Sequence, residues 1–297
     1  MKPVIKDIFY EYDLVWGNMR IFDEPLYHEP SNLAAFLEWL MEQDITLFDT
    51  ADIYGGYTVE KHFGKALKLL KAERSSYKLI TKCSIAKVCP ERPENEVLHY
   101  NSTGQYIADS IEQSLENLQT DYIDLLLLHR PDYLMDAQDT AAALSLAVAS
   151  GQIRHIGVSN FTPSQITLLQ SFLDIPLVTN QVEFSPLHLE PLNDGTFDQA
   201  QQMSARPMIW SPFAGGRIFN ENNPKLNQVL DKIAKQYNIS KEAVILAWIM
   251  RLPSRPLPII GSNKKENILK AIEANKIKMD IQEWYQILQA AQGHPIP

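Results

Sequence analysis

Eight short apolar runs alternate with longer amphipathic stretches from one end of this chain to the other, and that alternation restricts the fold more than any other feature. The runs fall at residues 13–16, 45–48, 78–81, 123–128, 153–157, 177–180, 207–209 and 257–260. Several are continuous, as in Leu125-Leu126-Leu127-Leu128, the pattern of strands covered on both faces. Between them, apolar residues recur at helical spacing: Ile107, Ile111, Leu115 and Leu118 share one face. Helices are predicted over 32–43 behind a Ser31 cap, over 60–70 and 107–118, and over 137–149 with Gly151 closing the last turn. Further helices start at Thr162-Pro163 and cover 225–237, 240–251, 266–274 and 281–291. Parallel neighbours need crossover connections, and strand–helix alternation supplies them. The expectation is an α/β chain forming a single (β/α)8 barrel domain over residues 1–297, with a short N-terminal hairpin at 5–12 and two extra helices. An open doubly wound sheet is the alternative. Two long stretches, 84–101 and 211–224, follow neither pattern; in a barrel both overlie the active face.

Charge and cysteine usage narrow the function classes. The formal net charge is −9, with both signs interspersed, which argues against a nucleic-acid partner. A small anionic ligand is compatible, because a few local cations and backbone N–H groups suffice to hold one. Cys83 and Cys89 form neither a C-x-x-C pair nor a disulfide scaffold, and the seven histidines show no H-E-x-x-H spacing, so no metal is expected. The N-terminus lacks an apolar signal core and no run approaches the roughly 18 residues of a membrane span. A cytoplasmic monomer without membrane contact is the expectation. There is no G-x-G-x-x-G, and Gly64-Lys65-Ala66 lacks the remainder of a P-loop.

The apolar runs end repeatedly in polar groups: Asp49, Lys82, His129, Ser159-Asn160, Gln181, Trp210-Ser211 and Gly261-Ser262. In a barrel such ends converge on the face where catalytic residues lie. Asp49, Lys82 and His129, joined by Tyr54 from the second strand–helix loop, make a recognisable chemical set. A tyrosine is a weak acid with an ordinary pKa of about 10. A nearby ammonium is expected to lower that value, and a carboxylate to keep the ammonium charged. The histidine orients or polarises a substrate oxygen. Together they suit protonation of a carbonyl oxygen as hydride reaches its carbon.

These segments resemble the aldo-keto reductase family. Phe48-Asp49-Thr50-Ala51-Asp52-Ile53-Tyr54-Gly55-Gly56 is similar to the motif around its catalytic Asp and Tyr, and Thr81-Lys82-Cys83 to its lysine strand. Asp121 to Pro131 resembles the histidine strand, and Gly151-Gln152-Ile153-Arg154-His155-Ile156-Gly157-Val158-Ser159-Asn160-Phe161 the family signature that follows. Asn180-Gln181-Val182-Glu183, Trp210-Ser211-Pro212 and Pro258-Ile259-Ile260-Gly261-Ser262 complete the series in family order, closest to a bacterial group of oxidoreductases with no assigned substrate. The resemblance implies an NAD(P)H-dependent oxidoreductase that reduces an aldehyde or ketone, with Tyr54 as general acid, Asp49 and Lys82 tuning it and His129 orienting the carbonyl. It implies NADPH as cofactor, with NADH possible. Ser159, Asn160 and Gln181 would hold the carboxamide and Trp210 would stack on the ring. Ser211, Phe213, Gly215, Gly216 and Arg217 lie on the loop expected to cover the pyrophosphate, and Gly261 and Ser262 at the 2′-phosphate. The family's arginine five residues after that serine is replaced by Asn267; Lys264 or Lys265 would supply the cation instead. Met19, Tyr57, Ile85 and Arg130, with Phe213, are the candidate pocket wall for a small carbonyl substrate. A regulatory subunit that binds NADP(H) with little turnover is the alternative.

Overall fold

The computed structural model describes Phe9 and residues 11–296. The hairpin expected over 5–12 lies outside the described residues except for Phe9, Glu11 and Tyr12. By contact the chain divides into two compact units, Val15–Asn180, and Gln181–Pro297 with Met1–Leu14.

The first unit holds β1 (Val15–Gly17), α1 (Pro30–Glu42), β2 (Leu47–Asp49), α2 (Val59–Leu67), β3 (Lys78–Cys83), β4 (Ile85–Ala86), β5 (His99–Tyr100), α3 (Gly104–Leu118), β6 (Ile123–Leu128), α4 (Ala137–Ala149), β7 (Ile153–Ser159) and α5 (Pro163–Gln170). β8 (Leu177–Glu183) begins in it and ends in the second. The second unit continues with α6 (Thr196–Met203), β9 (Met208–Trp210), α7 (Pro224–Tyr237), α8 (Lys241–Met250), β10 (Leu257–Ile260), α9 (Lys265–Ile272) and α10 (Ile281–Gln292). The strand order β1-β10-β9-β8-β7-β6-β3-β2 is that of a closed barrel, as the alternating pattern requires.

Register in the first unit decides where the chemistry sits. The parallel partners are Gly17 with Asp49, Asp49 with Ile80, Lys82 with Leu127, and Leu128 with Val158. The carboxyl ends of these strands therefore lie side by side. All six residues of β6 are buried, which explains its unbroken apolar run. Its one charge, Asp124, is held by Arg74 at 2.7 Å, Lys78 at 3.3 Å and the Leu79 N–H at 3.0 Å. A buried carboxylate needs such partners.

Six barrel strands run one to three residues past their expected ends, because polar residues that read as strand terminators continue the ladder. Asp49, Lys82, Ser159, Gln181 and Trp210 all lie within strands. α1 starts at Pro30 with Glu29 at its N-cap, rather than behind Ser31; the fixed backbone of proline suits the first helical position. The stretch 84–101 contains a small antiparallel ladder, Ile85 with Tyr100 and Ala86 with His99. α6 had no counterpart in the apolar pattern, since only Thr196, Phe197 and Ala200 are buried along it. Gly64 sets the spacing of α2 and α3: a Cβ there would stand 2.0 Å from the Asn117 carbonyl oxygen. Only glycine permits that approach.

Candidate active site

The first unit brings Asp49, Tyr54 and Lys82 together as the sequence implied. Lys82 is fully buried at 0 % exposure. Its ammonium donates to Asp49 Oδ2 at 2.7 Å, to the Thr50 carbonyl at 2.7 Å and to the Tyr54 hydroxyl at 3.1 Å. Three donors thus meet three acceptors, the full capacity of a charged lysine. Burial alone would lower its pKa, but the contacts with Asp49 and Tyr54 raise it above the ordinary value, so the group stays charged. Tyr54 departs from the sequence expectation. Burial pushes its phenol pKa up, Lys82 pulls it down and Asp49 pushes it up again, with a net rise rather than a fall. The phenol is therefore protonated at neutral pH, the form a proton donor must hold.

His129 faces Tyr54 edge to face, with ring centroids 6.0 Å apart. Burial, then the charges of Lys82 and Arg130, hold its pKa well below the usual histidine value, so the ring is neutral. Its Nδ1 is buried and has no hydrogen-bond partner. The backbone around it is fixed on both sides: its N–H donates to the Cys83 carbonyl at 2.8 Å, and its carbonyl accepts from Asn160 Nδ2 at 3.3 Å. Asn160 also donates to Ser159 Oγ at 2.8 Å. Tyr57, Ser84 and Asn160 all take positive φ, at 68°, 85° and 60°. Such backbone is costly for residues with a Cβ and concentrates at functional sites.

Two further buried polar side chains stand here, Asn18, expected only as pocket lining or turn, and Thr50, given no role of its own. Asn18 follows β1, is 1 % exposed, and has neither its amide nitrogen nor its oxygen hydrogen-bonded. Thr50, beside Asp49, has a buried hydroxyl without a partner. Buried polar groups are seldom left unpaired, and each such group calls for a missing partner. For Thr50 the only sequence signal was its position beside Asp49.

The expected pocket residues divide. Met19 is 53 % exposed and Arg130 is half-buried. Ile85 is buried in the small ladder, and its carbonyl accepts from Tyr57 at 2.9 Å and Tyr106 at 3.2 Å. The Tyr57 hydroxyl also accepts from the Lys87 N–H at 3.0 Å, so it pins the 84–101 stretch. A cavity of about 510 Å³ lies against α2 and α3. Asp52, Tyr57, Glu60, Lys65, Arg92 and Asn117 are among its lining residues, and no tetrad member is. Asp52 and Glu60 went unassigned from sequence. Burial raises the pKa of both carboxyls, and Glu60 pushes Asp52 further.

In the second unit, Gln181 is buried, with Nε2 3.9 Å from Met208 Sδ, and Trp210 is half-buried. Ser211 takes φ 52° and starts the loop that carries Phe213. Gly215 and Gly216 follow at φ 65° and 88°, and a Cβ on either would meet nothing within 4 Å. Arg217 is exposed and its Nε donates to the Ala214 carbonyl at 2.9 Å. After Gly261, Ser262 Oγ accepts from the Lys264 N–H at 3.2 Å and from Asn267 Nδ2 at 3.1 Å. Asn267, at the position of the family arginine, is thus bonded to the serine. Lys264 and Lys265 are exposed at the start of α9.

Among the described residues, no helix is long and apolar enough to cross a membrane. The chain is similar to known proteins over most of its length. The chain is 47 % identical over 285 residues to the oxidoreductase YdhF of Escherichia coli, covering 95 % of this chain and 94 % of that protein. It is 38 % identical to a 6-dehydroglucose reductase of Agrobacterium fabrum, covering 95 % of each. The crystal structure of an aldo/keto reductase from Klebsiella pneumoniae in complex with NADP and acetate superposes with a TM-score of 0.76 at 25 % identity, covering 96 % of this chain and 92 % of that one. The family model for aldo/keto reductases matches residues 13–292. With that match across nearly the whole chain, the protein belongs to the aldo/keto reductase family and is an oxidoreductase.

Proposed function

We propose that this protein reduces an aldehyde to an alcohol with NADPH, and that Tyr54 protonates the carbonyl oxygen. The observation that carries the reading is the Lys82 ammonium, fully buried and shared among Asp49, the Thr50 carbonyl and the Tyr54 hydroxyl. Family membership supports NADP(H) as the cofactor class, and a related structure contains NADP. The partnerless Asn18 amide and Thr50 hydroxyl fit a polar ligand at this edge of the strands.

The bound dinucleotide supplies hydride to the carbonyl carbon. Tyr54 gives its proton to the carbonyl oxygen, and the resulting phenolate is held by Lys82 through the existing hydrogen bond. Asp49 keeps Lys82 charged and aimed. His129, neutral, has an N–H to offer the carbonyl oxygen without competing as an acid. Ser159 and Asn160 are assigned to the nicotinamide carboxamide. In the second unit, Gln181 and Trp210 are assigned to the nicotinamide, the loop from Ser211 to Arg217 to the pyrophosphate, and Ser262, Lys264 and Lys265 to the 2′-phosphate. The 6-dehydroglucose reductase relative makes polyhydroxylated aldehydes the first substrates to try.

Binding of NADPH and of NADH, read by tryptophan fluorescence and calorimetry, tests the cofactor without a known substrate. Turnover of 6-dehydroglucose and smaller hydroxyaldehydes then tests the reaction. Tyr54→Phe is expected to lower kcat by about 10²–10⁴-fold, the usual worth of a positioned general acid. Near-unchanged turnover would remove Tyr54 from the mechanism.

A further inference from the structure

Successive residues of a strand face opposite sides. Lys82 on β3 faces Asp49, Thr50 and Tyr54, while Thr81 faces the helices. There the Thr81 hydroxyl donates to Glu60 Oε1 on α2 at 2.5 Å, and Ser114 on α3 donates to Glu60 Oε2 at 3.1 Å. Glu60 is 1 % exposed, and no ion pair engages it among the described residues. Burying a carboxylate against neutral partners alone, the two hydroxyls and the Asn117 side chain, costs solvation that an apolar side chain would not lose. Stability alone therefore gives little reason for a carboxylate here.

The surroundings of Glu60 give it a place in the mechanism. One turn further along α2, Gly64 lets the helix sit against the backbone of α3, which brings Glu60 within reach of Ser114. The edge of β3 is tied by backbone bonds, Thr50 N–H to the Ile80 carbonyl at 2.8 Å and Asp52 N–H to the Lys82 carbonyl at 3.1 Å. Those bonds fix the strand within the sheet. The Thr81–Glu60 bond fixes it across the sheet, from the face opposite to Lys82.

We infer that Glu60 is a positioning residue for the reaction, acting through Thr81 to hold Lys82 at hydrogen-bond distance from Tyr54. The inference rests on the proposed roles of Tyr54 and Lys82. The Lys82–Tyr54 bond is 3.1 Å long, so a retreat of well under 1 Å ends it. Misplacements near 1 Å cost on the order of 100-fold in rate.

The decisive variants are Thr81→Val, which removes the donor but keeps the shape, with Thr81→Ser and Glu60→Gln, which keep a donor and an acceptor. Each is assayed with DL-glyceraldehyde and NADPH, and by NMR of protein labelled with [¹³Cζ]tyrosine, Tyr54 being assigned by its loss in Tyr54→Phe. Thr81→Val is expected to lower kcat by about 10–100-fold and to move the Tyr54 resonance, with NADPH affinity changed less than about twofold. Thr81→Ser is expected to remain near wild type in both readouts, whereas Glu60→Gln, which keeps one acceptor but neither the second oxygen nor the charge, is expected to fall between Thr81→Ser and Thr81→Val. If Thr81→Val melts lower yet keeps the wild-type kcat and Tyr54 resonance, Glu60 is merely structural and the inference is overturned. If Thr81→Val does not fold, Ser114→Ala frees the other carboxylate oxygen and is read by the same two measurements. Full turnover in Tyr54→Phe would instead refute the proposed reaction, and the Tyr54 resonance in Thr81→Val would still decide the strut.

Discussion

Replacing Lys82 by methionine keeps most of the side-chain length and removes the charge and three donors. Asp49, itself buried, then loses the ammonium at 2.7 Å. Breaking one side of a buried ion pair costs about 3–5 kcal/mol, mostly as the uncompensated charge left behind. Unfolding entropy of about 2.1 cal/mol/K per residue gives roughly 0.6 kcal/mol/K for 297 residues. Lys82→Met should therefore melt about 5–8 °C below wild type. Adding Asp49→Asn removes the stranded charge, so the double variant should regain more than half of that loss. The unmatched Thr50 carbonyl keeps it from full recovery, at about 1–3 kcal/mol. Activity should behave differently, with kcat low in both variants because Tyr54 has lost its neighbour in each. Calorimetry at pH 7 and single-turnover kinetics measure the two effects. A double variant no more stable than Lys82→Met would show that the pair is not coupled as a charge pair, and the reasoning would fail.

The remaining expectations concern the groups around this pair. His129 should titrate well below an ordinary histidine, because burial and the charges of Lys82 and Arg130 disfavour the imidazolium; a histidine-specific NMR titration with the midpoint of a free histidine would contradict this. Asp52→Asn should stabilise the protein at pH 8 but not at pH 4. The folded carboxyl lies above its unfolded value, so its penalty appears as pH rises through about 4 and grows until the folded pKa is passed. Urea unfolding at both pH values checks it, and an equal effect at each would point to packing. Asn18→Leu should stabilise the nucleotide-free chain by about 1–3 kcal/mol, the cost of an unpaired buried amide, while weakening NADPH binding; an unchanged dissociation constant would separate Asn18 from the cofactor. Removing Lys264 and Lys265 together should weaken NADPH by about tenfold or more, near the worth of one charge-assisted bond, and leave NADH within about twofold; parallel losses for both nucleotides would rule out a 2′-phosphate role.

The barrel was legible because its strands are buried on both faces and its helices on one. β6 and α4 match their expected spans, since β6 is an unbroken apolar run and α4 is an apolar stretch bounded by the Asp136 cap and Gly151. The strand ends were less legible. Hydropathy marks Asp49, Lys82, Gln181 and Trp210 as the end of a strand, whereas the backbone ladder continues through them. These side chains are buried or half-buried in the folded chain, so their polarity does not signal solvent. α6 was missed because Asp198, Gln199, Gln201 and Gln202 break up its short apolar side.

The same reasoning explains which site residues stayed hidden. Tyr54, Lys82 and His129 were found through motifs, and each sits where those motifs imply. Glu60, Asp52 and Asn18 lie within or beside the same motifs, yet as single letters they read as a helix-start acid, a turn acid and a turn amide. What distinguishes them is burial, a three-dimensional quantity. Glu60 is six residues from Tyr54 in sequence, but its bonds go to Thr81 and Ser114, 21 and 54 residues away. Even the electrostatics could not be read from composition. Sequence reasoning put an ammonium beside Tyr54 and expected a lowered pKa; the ammonium is there, but desolvation of the same site outweighs it. Burial that keeps Lys82 and Tyr54 dry thus also keeps the phenol protonated, and the phenolate becomes favourable only against a charge that no solvent screens.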